Sequence, residues 1–449
     1  MRIIIIGCGN TGRQLAAKLC GEKHDVVVVD NQSEPLAELE SQYDVLTIQG
    51  QGSSPLVQEH AEIKKADLLI AVTSHDEVNV LAGILAHSAG VLHTVVRVAN
   101  SDYIHSSHIE VLKNMGIDLL VSQKAECARE LFNILSLPGT QEVIDMHHGK
   151  ILAVGIKVHI DSPLLLTPLN NFSKPELLKM IRFIAVMRGE NFFIPSGETQ
   201  FMIGDDLYFL GKPYDIRIFL DWAQPEHMKF DKVVIAGGGD IGLQLAQRLE
   251  STPTETILVE MDPACAQYCS TVLNKTLVIK GDALDQEALE DINMNENTAF
   301  VATTGDDENN IISCLLAEKL GVAFTLAQIA KAEYAPIINS SSLLDRAVSP
   351  HSAMINAILR FIRGRNVDSA TLLHNVPGEL LEMVLPDDSK WGGKTIEEIS
   401  MPAGSIIATV LRENKVYAAT GDFCLKQGDH VVLFSKPELI SKLESMIRK

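Results

Sequence analysis

Two stretches of this chain carry a glycine pattern that can hold a phosphate. Gly7-Cys8-Gly9-Asn10-Thr11-Gly12 follows the aliphatic run Ile3–Ile6, and Gly237-Gly238-Gly239-Asp240-Ile241-Gly242 follows Val233–Ala236. In a G-x-G-x-x-G pattern between strand and helix, the first glycine makes the tight turn and the second admits a pyrophosphate to the backbone. The third lets the helix lie close on the strand, so that its first amides and its dipole face the anion. An acid completes each pattern. Asp30 and Glu260 each stand 23 residues beyond the first glycine of their set, at the end of the next aliphatic run. A carboxylate there can accept hydrogen bonds from ribose hydroxyls.

The neighbours of these acids bear on which nucleotide fits. Asp30 is followed by Asn31-Gln32-Ser33, with no cation for a 2′-phosphate, so NAD(H) or an adenine nucleotide fits better than NADP(H). Arg97 ends a late strand, where it can reach a ligand phosphate. Its counterpart Gln328 brings no charge, and Asp240 puts a carboxylate where the first loop has the neutral Asn10. The expectation is NAD(H) at the first site and, at a weaker second site, NAD(H) or ATP/ADP. Thr73-Ser74 and Thr303-Thr304 end the fourth strands, at the carboxyl edge where open α/β sheets bind ligands. The acids that follow, Asp76-Glu77 and Asp306-Asp307-Glu308, read as helix N-terminal charges. Contacts to a ligand, an ion or an interface are the alternative.

No catalytic set accompanies the glycines. A dehydrogenase needs a proton-transfer group facing the nicotinamide. His24, His60, His75, His87, His93, His105 and His108 are scattered, and His147-His148 falls in the turn-like MHHGK stretch. The cysteines Cys8, Cys20, Cys127, Cys265, Cys269, Cys314 and Cys424 show neither Cys-x-x-Cys nor zinc spacing, and read as free buried thiols in a reducing cytosol. The chain therefore reads as a sensor rather than an enzyme, with no catalytic residue and no metal ligand. A tandem NAD-dependent oxidoreductase is the competing reading.

The elements that must position these residues form a repeat. Gly7 aligns with Gly237 at an offset of 230, and AVTSHDEVN (71–79) with ATTGDDENN (302–310) at 231. This makes a duplicated unit of roughly 225 residues. In the first copy the strands are expected at Ile3–Ile6, Val26–Val29, Val45–Ile48, Leu68–Val72, Val95–Val98 and Leu119–Val121, with helices at Thr11–Leu19, Pro35–Gln42 and Asn79–Ala86. Strands apolar throughout and alternating with helices indicate a doubly wound parallel sheet covered on both faces. Each copy then changes character. Short runs at Ile151–Ile160, Phe183–Arg188, Gln200–Ile203 and Leu207–Leu210 are matched by Leu380–Leu385, Ile406–Leu411, Val416–Ala419 and His430–Phe434. These read as small α+β modules, entered through helical connectors at Ala125–Leu135 and His351–Phe361, with Pro225 near the joint between copies. The expected domains are 1–125, 140–226, 229–352 and 367–449.

Composition limits the partners. The 449 residues carry a formal charge of −20, with 38 basic against 58 acidic side chains. Nucleic acid and anionic lipid would both select the opposite balance. No apolar run approaches the ~18 residues of a membrane span, and the N-terminus lacks the form of a signal peptide. A chain that is 46% hydrophobic with only 21% charged residues suggests buried surface in an oligomer.

Together these residues resemble the KTN/RCK regulators of potassium transport, in the tandem form of the TrkA family. The marks in the first copy are the Gly7–Gly12 loop with Asp30, Gly50-Gln51-Gly52-Ser53, Ala71-Val72-Thr73 before Asp76-Glu77-x-Asn79, and Arg97. In the second they are the Gly237–Gly242 loop, Gly281-Asp282-Ala283, Asp307-Glu308-x-Asn310, Val348-Ser349-Pro350, Pro402-x-Gly404, Arg412 and Gly428-Asp429-His430. The resemblance covers essentially the whole chain. It implies two Rossmann domains each followed by a small RCK-C module, in a cytoplasmic homo-oligomer (dimer or tetramer). Such an assembly would sit at the inner face of the membrane, docking on a Trk-type potassium transporter and gating it when nucleotide binds. A nucleotide sensor for some other partner is the remaining alternative.

Overall fold

The computed structural model describes all residues except 105, 148, 166–167, 190, 225–229, 332–333, 335–336, 339–342, 364–368, 374–375, 414 and 448–449. His105, His148 and Pro225 thus lie outside the described residues.

The first aliphatic runs do form strands of a parallel sheet. β1 (Arg2–Ile6), β2 (Asp25–Asp30), β3 (Leu46–Gln49), β4 (Leu68–Ala71), β5 (His93–Arg97) and β6 (Leu119–Val121) are arranged β3-β2-β1-β4-β5-β6. Every pair is parallel. Ile3, Ile5, Val27 and Val28 have no exposure, as expected for strands covered on both faces. The helices are α1 (Asn10–Gly21), α2 (Ser33–Gln42), α3 (Pro55–His60), α4 (Asp76–Ser88), α5 (Ser106–Asn114) and α6 (Gln123–Ser136).

A small antiparallel sheet follows: β7 (Thr140–Met146), β8 (Ile151–Lys157), β9 (Ile181–Arg188), β10 (Asn191–Phe193) and β11 (Asp206–Gly211), ordered β10-β9-β11-β8-β7, with α7 (Pro213–Ala223). The second copy repeats the plan. β12 (Lys232–Ala236), β13 (Glu255–Glu260), β14 (Leu277–Lys280), β15 (Thr298–Ala302), β16 (Phe324–Gln328) and β17 (Arg346–Val348) make a parallel sheet in the order β14-β13-β12-β15-β16-β17. Its helices include α8 (Asp240–Leu249), α9 (Pro263–Val272), α10 (Gln286–Glu290), α11 (Asp307–Lys319) and α12 (Pro350–Arg363). The last sheet holds β18 (Ser369–Leu372), β19 (Glu379–Val384), β20 (Ser405–Arg412), β21 (Lys415–Ala418) and β22 (His430–Ser435), ordered β18-β19-β22-β20-β21, with α13 (Ile440–Ile447). Matched strand for strand, the two antiparallel sheets share one topology.

Two expectations within the modules are corrected, and one strand was not expected. Gln200–Ile203 is not a strand: Phe201 makes one isolated bridge to Leu165, and the chain turns at Gly204, whose φ is +85°. The run from Ile151 ends at Lys157, three residues early. Thr140–Met146 is a strand that its run of polar Thr140, Gln141 and Glu142, with Asp145 beyond, concealed. The thiols are all free, but only Cys8, Cys127, Cys269 and Cys314 are buried, and Cys424 is exposed.

The compact units of the chain are not its sequence repeats. One unit joins the two parallel sheets (1–132 with 230–359) and the other joins the two antiparallel sheets (133–229 with 360–449). In the second unit a single apolar cluster takes Ile144, Ile151, Ala185 and Tyr208 from one module and Leu380, Ala408, Val432 and Phe434 from the other. An arginine fork recurs in each module. Arg188 meets Asp205 at 2.8 Å through both Nε and Nη2, and Arg412 meets Asp429 at 2.7 and 2.8 Å. Both carboxylates are almost fully buried.

Candidate functional site

The carboxyl edge of the first parallel sheet opens into a cavity of about 460 Å³. Gly7 turns the chain at φ +106°, a conformation side chains rarely adopt. A Cβ at Gly12 would lie 1.8 Å from the Gly7 carbonyl oxygen, so this glycine packs α1 onto β1 beneath the cavity rather than lining it. Gly9 differs: its φ is −70°, a Cβ would meet nothing within 4 Å, and its bare backbone lies on the cavity wall. The three glycines have three separate physical roles.

Gly7, Cys8, Gly9, Asn10, Thr11, Asp30, Thr73, Ser74 and Arg97 all line this cavity. Asp30 accepts from Cys8 N at 2.5 Å with one oxygen and from Gln32 N at 2.9 Å with the other, which fixes the carboxylate at the end of β2. Burial, reinforced by Asp30, pushes the Cys8 thiol up to about 11 and keeps it neutral. Asn31, Gln32 and Pro35 complete this end, which holds no cation among the residues lining the cavity. Thr73 is committed elsewhere: its hydroxyl donates to Asn79 Oδ1 at 2.6 Å, and Asn79 also donates to the Arg97 carbonyl at 3.0 Å. Fully buried Asn79 therefore ties the ends of β4 and β5 together.

Arg97 is half-buried, and desolvation lowers its pKa despite the carboxylate of Asp76. Its Nη1 donates to the Thr73 carbonyl at 2.8 Å, while Nε is buried and makes no hydrogen bond. Asp76 itself accepts from Ala99 N and Asn100 N, and with Glu77 it occupies the first turn of α4. Both acids thus sit as helix N-terminal charges, as do Asp307 and Glu308 on α11.

One wall residue comes from the second copy. His351, on the first turn of α12, lines the cavity together with Gln123. Gln123 Nε2 donates to His351 Nδ1 at 3.1 Å, and Thr11 Oγ1 lies 3.3 Å from the same atom. Desolvation lowers the His351 pKa, with Arg97 pushing the same way and the backbone of Asn10 opposing. A neutral ring accepting at Nδ1 carries its proton on Nε2, which is buried without a hydrogen bond. Two orphaned nitrogens, Arg97 Nε and His351 Nε2, thus belong to residues lining one small cavity beside a bare glycine backbone. Buried donors of this kind call for an acceptor.

The second glycine loop has the same frame and different chemistry. Gly237 has φ +104°, and a Cβ at Gly242 would lie 2.0 Å from the Gly237 oxygen. Glu260 accepts from Gly238 N at 2.6 Å and Asp262 N at 2.8 Å, as Asp30 does in the first copy. As the offset of 231 requires, Thr304 corresponds to Thr73: Thr304 bonds to Asn310 at 2.6 Å, and Asn310 donates to the Gln328 carbonyl. Thr303 instead donates to the Gly237 carbonyl at 3.0 Å, and Ile241 is buried. Lys280 faces Glu260 across the ladder where Gln49 faces Asp30. Asp240 is ion-paired with Lys124, on the first turn of α6.

Lys124 and His351 occupy the same position of their repeats, each one residue into the helix after the sixth strand. Each reaches the glycine loop of the other copy. No motif signals this exchange, because neither residue belongs to one and the contact depends on how the two sheets pair. His75 also lines the first cavity and is exposed.

The TrkA-N domain model matches residues 3–123 and again 233–350, and the TrkA-C domain model matches 380–448. The chain belongs to the TrkA family. It is 32% identical to the Trk system potassium uptake protein TrkA of Halomonas elongata over 438 residues, covering 97% of this chain and 95% of that one. With the TrkA of Vibrio alginolyticus it shares 30% over 456 residues, covering 100% and 99%. A TrkA homolog of Archaeoglobus fulgidus is 27% identical over the full length of both chains. Among solved structures, the GsuK channel superimposes with a TM-score of 0.61 at 19% identity, covering 99% of this chain and 78% of that one. The GsuK RCK domain gives 0.59 at 19%, covering 99% and 94%. This TrkA-family chain thus shares the tandem RCK fold. No described helix is long and apolar enough to cross a membrane.

Proposed function

We propose that the chain is a nucleotide-sensing regulatory subunit of potassium transport, with NAD(H) bound at the first glycine loop. Gly9 would bring its backbone to the pyrophosphate, Arg97 and His351 would donate to it, and Asp30 would hold a ribose. The lack of a cation among the lining residues beside Asp30 supports NAD(H) over NADP(H). A GsuK channel of the same fold has been solved bound to NAD. At the second loop, NAD(H) or ATP/ADP binds more weakly, since Gln328 offers no charge where the first copy has Arg97, and Asp240 ties up Lys124 in an ion pair. The domains acting in this are 1–125, 140–226, 229–352 and 367–449.

The observation that carries the reading is His351 on the first cavity. A ligand seated at Gly9 lies against a residue of the other repeat, so occupancy favours one arrangement of the paired lobes over another. A regulator needs that differential affinity. The relatives named as potassium uptake proteins support a Trk-type membrane transporter as the partner, docked and gated from the cytosolic face by a homo-oligomer. A chain of charge −20 complements the basic cytoplasmic loops of such a protein, and disfavours nucleic acid and anionic lipid. The chain acts without catalysis. Reconstitution with a Trk-type transporter in vesicles tests this: potassium flux should depend on the chain and respond to NADH. Flux indifferent to the chain would overturn the regulatory reading, and NADH consumption with a panel of ketoacids would establish an oxidoreductase instead.

A further inference from the structure

Away from the glycine loops, three side chains of metal-ligating type converge where the two antiparallel modules meet. His147 follows β7 of the first module, Glu382 lies on β19 of the second and His430 begins β22. Their ligating atoms all fall within 4.8 Å of one another. His147 Nδ1 is 2.7 Å from Glu382 Oε1, and the rings of His147 and His430 stand 5.2 Å apart, edge to face. Both members of the His147–Glu382 pair are largely withdrawn from solvent, at 19% and 16% exposure.

The fold explains why they meet. Val384 pairs with His430 and Glu382 with Val432 in antiparallel register, so Glu382 and His430 are diagonal neighbours on one face of the sheet. That face packs against the first module through the shared apolar cluster. The loop of four residues between Met146 and Ile151 carries His147 to the same place, with φ +50° at His147 and +81° at Gly149. A histidine held in the left-handed region is uncommon.

We propose that His147, Glu382 and His430 form a binding site for one divalent cation of the zinc class, bridging the two C-terminal modules. Two imidazole nitrogens and one carboxylate oxygen are a donor set for Zn²⁺, Co²⁺ or Ni²⁺, whereas Ca²⁺ and Mg²⁺ take all-oxygen shells. A tetrahedral ion at about 2.0–2.2 Å from each ligand sets its ligand atoms roughly 3.3–3.6 Å apart. Small side-chain rotations bring the three atoms to that spacing, and the ion replaces the His147–Glu382 hydrogen bond. The fourth position stays open to water. Neutral histidines and one carboxylate leave a net charge of +1 on the bound centre. Because the ligands come from both repeats, the ion acts as a staple between modules that are distant in sequence.

The test uses the full-length chain without a histidine tag, stripped with EDTA and then titrated with ZnCl₂ or CoCl₂. One zinc per chain is expected, with a rise in the thermal midpoint that grows with free zinc. Bound Co²⁺ should show visible bands of a four-coordinate site without thiolate charge transfer. Glu382→Gln, His430→Gln and His147→Asn (asparagine tolerates positive φ) should each weaken zinc binding by about 10-fold or more. His430→Gln, which leaves the His147–Glu382 hydrogen bond in place, should melt like the wild type when metal-free. Absence of one tight zinc in the wild type overturns the site, as does binding that survives all three substitutions. Thiolate bands would assign the ion to the cysteines instead.

Discussion

Gly9 and Gly12 look alike in the sequence and should fail in opposite ways when a methyl group is added. At Gly9 the backbone is extended (φ −70°, ψ −172°) and a Cβ meets no atom within 4 Å, so Gly9→Ala should fold without strain. A slight gain, of about 0.4–1 kcal/mol, follows from the less flexible unfolded chain. The methyl group would occupy the wall where a pyrophosphate must approach the amides. Losing one hydrogen bond to a charged group costs about 1.5–3 kcal/mol, which is roughly 10- to 150-fold in affinity. At Gly12 the added carbon would sit 1.8 Å from the Gly7 oxygen and 2.9 Å from its carbonyl carbon, both backbone atoms that yield only if the loop moves. Gly12→Ala should therefore destabilise the first sheet by about 1–3 kcal/mol or more. Urea unfolding and NADH calorimetry on both variants separate the two effects. A Gly9→Ala protein that is folded and binds NADH as tightly as the wild type would refute the assignment of Gly9 to the phosphate.

Asp30→Ala should abolish NADH binding at the first loop and leave the amide of Cys8 unpaired, at about 1–3 kcal/mol; Glu260→Ala should leave the first isotherm in calorimetry unchanged. Desolvation holds the His351 pKa below 6.5, so the unfolded chain takes its proton first as pH falls. Stability should drop below about pH 6.5 and level off beneath the folded-state pKa, and His351→Gln, compared by thermal melts across pH, should remove that part of the slope. Asp240→Asn frees Lys124 and removes a repelling carboxylate, so ADP or NADH titrated into the second site should bind more tightly; unchanged or weaker binding would show that Asp240 does not limit that site. Arg412→Met strands the buried Asp429 carboxylate and should cost about 3 kcal/mol in urea unfolding, with a similar loss for Arg188→Met on Asp205.

The parallel sheets were legible because their strands are aliphatic on both faces and their turns are fixed by glycines that steric contacts require. Asp30 and Glu260 were legible from spacing alone, since the end of the second strand is a fixed distance along the chain from the loop. The antiparallel modules were harder. Thr140–Met146 opens on three polar residues and does not stand out from a loop, while Phe201, buried completely, mimics a strand in a segment that is a turn. The least visible residues were those whose contacts cross between repeats. His351 was placed in a helix, yet nothing near it in the sequence points to a cavity built on Gly7 and Asp30. His147 resembled any histidine in a turn, because its neighbour Glu382 is 235 residues away.

That blindness has a physical origin in the way the duplication folded. Each copy could have closed on itself, and its motifs would then have described its site completely. The compact units instead pair like with like, parallel sheet with parallel sheet and module with module. Every contact between copies is therefore long-range in sequence, and divergence between the copies is expressed where they touch. At the equivalent position one repeat presents Lys124 and the other His351. The lysine neutralises an acid that the second loop acquired, and the histidine brings a desolvated, titratable ring to the loop that lacks one. The two glycine loops share a frame to within tenths of an ångström in their clamping hydrogen bonds, yet face different charges. If both loops bind nucleotide as proposed, their two sites are unequal, and the difference is written mainly by the partner copy.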